Sequence, residues 1–224
     1  LHQCLEFRRS LFRSTLTKLS QVRKAHIVVV PHGHMDHVGD AVALRQKTGA
    51  KFVGSYEMTL VAESQGLNPA RQIVGINPGG SAKIKDVTLT MTPAHHSTSM
   101  SPTLARGAAP ENGYFHADGG VGGFVLAFDN GITVYNSSDT CLFSDMQLIS
   151  QMHGPQIAIL PVGGVYTMGV REAARAASFI RPEVLIPCHY GNVVGQPADI
   201  NQLKREVKFL SANTEVAAVK PGQT

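Results

Sequence analysis

Three imidazoles and a carboxylate stand within six residues: His32, His34, Asp36 and His37, in the run Pro31-His32-Gly33-His34-Met35-Asp36-His37. So dense a group of polar ring nitrogens cannot all find ordinary partners in a core, and the run reads as metal-binding. His32 and His34 alternate, so on an extended turn both point one way. Asp36 and His37 follow where the chain bends, and there they can serve a second ion. Imidazole with carboxylate suits zinc, and also manganese, iron, nickel or cobalt.

Such a cluster needs rigid elements to hold it. A short β-branched run, Ile27 to Pro31, precedes it and reads as a buried strand. Residues 38–48 read as a helix stopped by Gly49. Strands are expected at 51–55, 73–77 and 83–92, with a helix at 56–65 ended by Gly66. Residues 97–121 form a long loop rich in Gly, Pro, Ser and Ala, a length that marks functional lids. Asp129-Asn130-Gly131 between apolar runs 124–128 and 132–135 is a hairpin signal. Helices at 142–152, 171–180 and 200–210 then alternate with strands at 157–161, 184–187 and 216–219. Mixed strands with interleaved helices predict a layered α/β fold.

Composition narrows the classes. The 224 residues suit one large domain or two small ones, and one compact α/β domain is the simpler reading. With 43% apolar and 16% charged residues the chain is globular rather than disordered. Its longest clean apolar run, Ile27 to Pro31, is far short of the ~20 residues a membrane span needs. Three cysteines are too few and too scattered for a disulfide scaffold, which points to a reducing, intracellular compartment, the cytoplasm first. The net charge is +4. Much of the excess sits early, where Arg8, Arg9, Arg13, Lys18, Arg23 and Lys24 face only Glu6. That segment has the spacing of an amphipathic helix. An organelle-targeting remnant or a patch for anionic surfaces are the other readings.

Three further segments join the first motif in a resemblance to the metallo-β-lactamase superfamily, whose opening signature is His-x-His-x-Asp-His. They are Thr92-Pro93-Ala94-His95-His96-Ser97, Ser138-Asp139-Thr140 (with Ser138 in place of the family's Gly) and Pro187-Cys188-His189-Tyr190-Gly191. Longer matches, including Asp-Thr-x-Leu-Phe-Ser-Asp-Met and Tyr-Thr-Met-Gly, are similar to the small metal-dependent hydrolases near the ascorbate-phosphate lactonases. The resemblance covers about residues 22–224 and implies an α/β (α+β) fold, a four-layer αββα sandwich. Its members open with a β-hairpin carrying Gly-His-Ser and Asp-Pro. Residues 1–21 have neither, so they are set apart as an atypical basic segment with that hairpin missing or altered.

The resemblance implies a ligand set. His32, His34 and His96 would hold one divalent ion, and Asp36, His37 and His189 a second, with Asp139 bridging. His96 is preferred over His95 because it matches the His of Pro-Ala-x-His-Ser. A carboxylate at Asp139 points to the phosphodiesterase, lactonase and thioesterase branches. Asp36 and Asp139 would be the catalytic carboxylates around a bridging hydroxide. Tyr166, Thr167, Tyr190, Asn192, Arg106 and His116 are candidate substrate contacts. The implied activity is hydrolysis of a small ester, lactone or phosphodiester. Arg106, in the long loop, would favour an anionic substrate. The alternatives are a nuclease of the same superfamily and a metal-binding protein without turnover. Nucleic acid is not the expected partner, because there is no room for the arm or domain that RNA-processing members use. A homo-oligomer stays open.

Overall fold

In a computed structural model the described residues are 19–99, 119–191 and 195–219. Residues 1–18 of the basic segment 1–21, the bulk of the 97–121 loop with Arg106 and His116, and Asn192 lie outside them. The chain divides into two compact units. One runs through residue 77 and includes the described parts of 97–121; the other holds 78–96 and the chain from 122 onward.

The first unit is built on a parallel three-stranded sheet in the order β1-β2-β3. Val28 of β1 (Ile27–Val29) pairs with Phe52 of β2 (Lys51–Gly54), and Val53 pairs with Val74 of β3 (Ile73–Gly75). Parallel neighbours need a crossover, and helices supply both. α1 (Met35–Val38) and α2 (Ala41–Thr48) lie between β1 and β2; α3 (Tyr56–Ser64) and α4 (Pro69–Gln72) lie between β2 and β3. Val28, Val30, Leu44, Phe52, Met58 and Ala62 form the core.

Two expectations are corrected here. The single helix over 38–48 is two, because Gly39 takes a φ of 30° that a helix cannot continue through. The first of them starts at Met35, inside the histidine motif. α4 is a turn of helix that periodicity did not reveal. Asn68 at its N-cap and Pro69 at its first position are the signal that marks it.

The second unit carries a seven-stranded mixed sheet in the order β10-β9-β8-β7-β6-β5-β4. β4 (Ser81–Ile84), β5 (Val87–Pro93), β6 (Gly122–Phe128) and β7 (Thr133–Asn136) are antiparallel. β8 (Ile157–Pro161), β9 (Val184–Cys188) and β10 (Glu215–Val216) continue in parallel from β7. The expected hairpin turns at Gly131, whose φ is 89°. The single strand expected at 83–92 is instead a second hairpin. Lys85 takes the left-handed conformation and Ile84 pairs with Val87. Those two residues are three apart, which breaks the period of two.

α5 (Met146–His153), α6 (Val170–Ile180) and α7 (Ile200–Leu210) complete the unit. α5 starts four residues later than its apolar pattern suggested, because Leu142 and Phe143 belong to the loop that leaves the β7 end. α6 buries Ala173, Ala174, Ala176, Ala177 and Ile180; the four alanines allow close approach of its backbone to neighbours. Tyr135, Met146, Leu160, Leu185 and Leu203 fill the core beside them. Among the described residues, no helix is long and apolar enough to cross a membrane.

Candidate metal centre

In the first unit the donors gather just past β1. Val30 still bonds the sheet, its N–H donating to the Val53 carbonyl at 2.8 Å. The chain then turns through Pro31, His32 and Gly33. His32 is fully buried, and its Nε2 lies 3.0 Å from His34 Nδ1. The His32 ring centroid is 4.6 Å from that of His34 and 4.1 Å from that of His37. His34 is the N-cap of α1 in extended conformation, and its carbonyl accepts the N–H groups of His37 and Val38, both at 3.0 Å. This places Asp36 and His37 on the first turn, with Asp36 Oδ2 3.7 Å from His37 Nε2. Ring nitrogens gathered this closely beside a carboxylate form a donor set that suits a cation.

In the second unit the donors follow the ends of β5, β7 and β9. The loops after β5 and β7 are tied by backbone. The His95 N–H donates to Thr140 Oγ1 at 3.0 Å, and the Cys141 N–H to the His95 carbonyl at 3.0 Å. The His95 ring packs edge-on against Phe143, centroids 5.0 Å apart. His96 instead faces Asp139, its Nε2 3.8 Å from Oδ2. His189 Nε2 reaches the same oxygen at 3.1 Å. The Asp139 side chain is only 5% exposed. A carboxylate taken out of water needs positive charge or several donors around it. Two imidazole nitrogens converging on one buried oxygen suit a divalent cation, and nitrogen with oxygen donors suits zinc and its neighbours. The donor sets of both units therefore fit metal.

Strand β6 brings no donor to this group, yet it shapes it. Its first residues, Gly122 and Gly123, pair with Pro93 and Thr92. A Cβ on Gly123 would stand 2.9 Å from the Asn136 carbonyl and 3.1 Å from that of Ser137.

Two donor loops hold non-glycine residues in the left-handed region: Ser138 at φ 58° and His189 at φ 53°. Ser138 is the residue that replaces the family's Gly. Its N–H donates to Asn136 Oδ1 at 3.0 Å, while its buried Oγ meets no hydrogen-bond partner among the described residues. Ser138→Gly relieves both costs. A left-handed non-glycine residue costs ~1–2 kcal/mol, and glycine's greater unfolded-state freedom returns ~0.5–1 kcal/mol of that. The expected net is a thermal midpoint higher by roughly 2–4 °C with metal content unchanged. Calorimetry on the two proteins checks it, and a lower midpoint removes the strain argument.

Of the proposed substrate contacts, Tyr166 is 67% exposed, Thr167 is half-buried beside it, and Tyr190 packs partly on the core. Burial, and then the nearby Cys188 charge, push the Tyr190 hydroxyl above its ordinary value. It stays protonated and able to donate through neutral pH. Arg106, His116 and Asn192 fall outside the described residues. Sequence reasoning missed Gln196, which is 1% exposed and whose amide nitrogen lies 3.2 Å from His189 Nδ1. No local pattern announces it; only its position seven residues past the last histidine could have prompted a look.

Parallel strands ending in histidine and aspartate donors define a metallohydrolase of the metallo-β-lactamase type, and comparison with known proteins agrees. The Beta-lactamase superfamily domain matches residues 4–190. The chain is 41% identical over 200 residues to a UPF0173 metal-dependent hydrolase of Chloroflexus aurantiacus, covering 88% of this chain and 77% of that protein. It is 38% identical over 198 residues to a UPF0173 metal-dependent hydrolase of Methanopyrus kandleri, covering 88% and 80%. Among solved structures it is similar to Igni18, a metallo hydrolase from Ignicoccus hospitalis, with 31% identity, a TM-score of 0.76, and 95% and 84% of the two chains covered. The chain belongs to the beta-lactamase superfamily and is a metal-dependent hydrolase.

Proposed function

We propose that this hydrolase uses two divalent ions to cleave a small ester, lactone or phosphodiester. His32, His34 and His96 would hold one ion, Asp36, His37 and His189 the other, and Asp139 would serve both. The observation that carries the reading is the buried Asp139 carboxylate with two histidine nitrogens on one of its oxygens. Zinc suits this donor set best; manganese, iron, nickel and cobalt suit it too. The family match runs through both units, which supports residues 22–224 as one hydrolase domain. Ions held there would supply a more acidic water and polarise the oxygen of the bond to be cut.

The chain's own residues do the rest. Asp139 would offset the positive charge of bound ions with a negative charge that solvent does not screen. Asp36 would take up a proton from the attacking water. The protonated Tyr190 hydroxyl can donate to a substrate oxygen. The exposed Tyr166, with Thr167 beside it, offers a surface on which the substrate can lie. Arg106 favours substrates carrying phosphate or carboxylate.

Metal analysis on protein purified without chelator, followed by a panel of neutral and anionic esters, lactones and phosphodiesters, tests this. Two ions per chain and turnover of at least one class are expected. A plateau at one ion under excess zinc, manganese and iron removes the paired site. Two ions with no turnover on the panel removes the substrate class.

A further inference from the structure

Strands β7, β8 and β9 run parallel, with β8 between the other two. The loop that leaves β8, residues 162–169, therefore emerges between the loop carrying Asp139 and the loop carrying His189. Backbone ties it to both. The Val162 N–H donates to the Cys188 carbonyl at 3.0 Å, and the Met168 N–H to the Thr140 carbonyl at 3.2 Å. The Gly164 N–H donates to the Met168 carbonyl at 3.0 Å and closes the loop on itself. Its crown is Val165 and Tyr166, each 67% exposed. No residue from 162 to 169 is charged.

The fold itself does not need this pair in one place, because side chains so exposed add little to the core. The pair is fixed nonetheless. Gln196, only 1% exposed, stands behind it, and its side-chain oxygen accepts the N–H of Val165 at 3.3 Å and that of Tyr166 at 3.1 Å. One acceptor on two consecutive N–H groups sets the backbone of both residues. Gln196 is anchored in turn, its own N–H and carbonyl bonded to Gly191 at 3.2 and 2.8 Å. Gly163 lets the loop come this close: a Cβ there would stand 2.5 Å from the Gln196 oxygen and 2.5 Å from the His189 carbonyl. Holding exposed residues in one conformation costs backbone entropy. A ligand that meets such a surface gains from it, because the ordering is complete before binding.

We propose that Val165 and Tyr166 form a fixed apolar wall beside the donor loops, and that this wall selects substrates carrying an aromatic ring next to the bond to be cut. The inference rests on the hydrolysis proposed above. The Tyr166 ring offers a flat face, and offset or edge-on packing of two rings adds to the area they bury. Val165 extends that face with branched hydrocarbon. A wall without charge discriminates by shape and polarity. Gln196 is a positioning residue: it acts through the backbone of Val165 and Tyr166 and keeps the wall in place.

The test uses the full chain purified without chelator. Amide NMR follows Val165 and Tyr166 while benzyl alcohol, and separately methanol, is titrated in. Both amides are expected to shift with benzyl alcohol and to stay with methanol. The same contrast is read in turnover, by proton release, from matched pairs: methyl and benzyl acetate, γ-butyrolactone and its γ-phenyl derivative, dimethyl phosphate and benzyl methyl phosphate. In each class that is hydrolysed, the aromatic member is expected to have a KM lower by about tenfold. Tyr166→Ala brings that ratio close to one. Gln196→Leu, which has no acceptor, lowers the ratio as well, and Gln196→Glu, which keeps an oxygen for both N–H groups, restores it. Benzyl alcohol that leaves both amides unmoved overturns the proposal without needing any variant to fold. A ratio that survives Tyr166→Ala overturns it too. A dimer in sedimentation that Tyr166→Ala dissociates assigns the pair to a second copy of the chain and overturns it. Amides that shift with benzyl alcohol while no class is hydrolysed support the wall and remove the proposed hydrolysis instead.

Discussion

Asp139→Asn is expected to lose one metal ion per chain and most of the hydrolytic rate while keeping its fold. The substitution preserves size and one oxygen, so packing around this 5%-exposed side chain changes little. It removes the negative charge. On the proposed reading, the ions and the imidazoles of His96 and His189 would then share a neutral amide in a place where water does not screen repulsion. The loss of one well-placed electrostatic group costs about 10²–10³ in turnover, and loss of an ion adds to that. Elemental analysis, circular dichroism and initial rates on the same preparation separate the effects. Full metal and full rate in the variant would show that Asp139 holds neither ion.

His96→Ala should empty a site that His95→Ala leaves filled. His96 Nε2 turns toward Asp139 at 3.8 Å, whereas the His95 ring packs on Phe143. The loop bonds at position 95 come from its backbone, and alanine keeps them. His95→Ala therefore removes an edge-on aromatic contact worth about 0.5–1.5 kcal/mol. Changes of this kind beside a ligand typically cost ~10–100-fold in affinity or activity, not the ion itself. Zinc titration against a chromogenic chelator distinguishes them. If alanine at 95 is the change that empties the site, the donor is the earlier histidine and the motif alignment shifts by one.

Features that depend on near neighbours in the chain could be read without coordinates. The histidine motif is local, so the proximity of His32, His34 and His37 follows from spacing. The hairpin at Gly131 is local too, since glycine is what its φ requires. The β4–β5 hairpin hides because its turn uses lysine rather than glycine or asparagine. Alternation on both sides then looks continuous unless the odd step from Ile84 to Val87 is noticed. The stretch 38–48 looks like one helix in sequence because a single glycine in a helical pattern is often tolerated, and at Gly39 it is not. Gln196 had no such signal, and the strain at Ser138 shows only through the glycine that the resemblance places there. The first exists because a loop closure brings residue 196 against residues 165 and 166, and the second because a serine sits in a conformation that its neighbours impose.

The donors of the second unit leave from every other strand: β5, β7 and β9. Neighbouring strands lie ~4.8 Å apart, so the strands that launch His96, Asp139 and His189 are kept apart by the two between them. The spacers act as gauge blocks, and Gly123 on β6 is the thinnest part of one. At that point the backbone carrying Asp139 rests against bare backbone on the strand beside it. Tolerances in the geometry of the donor groups are therefore set partly by residues with no donor atom in their side chains. A survey of chemically active groups alone would pass over the part of the sheet that calibrates them.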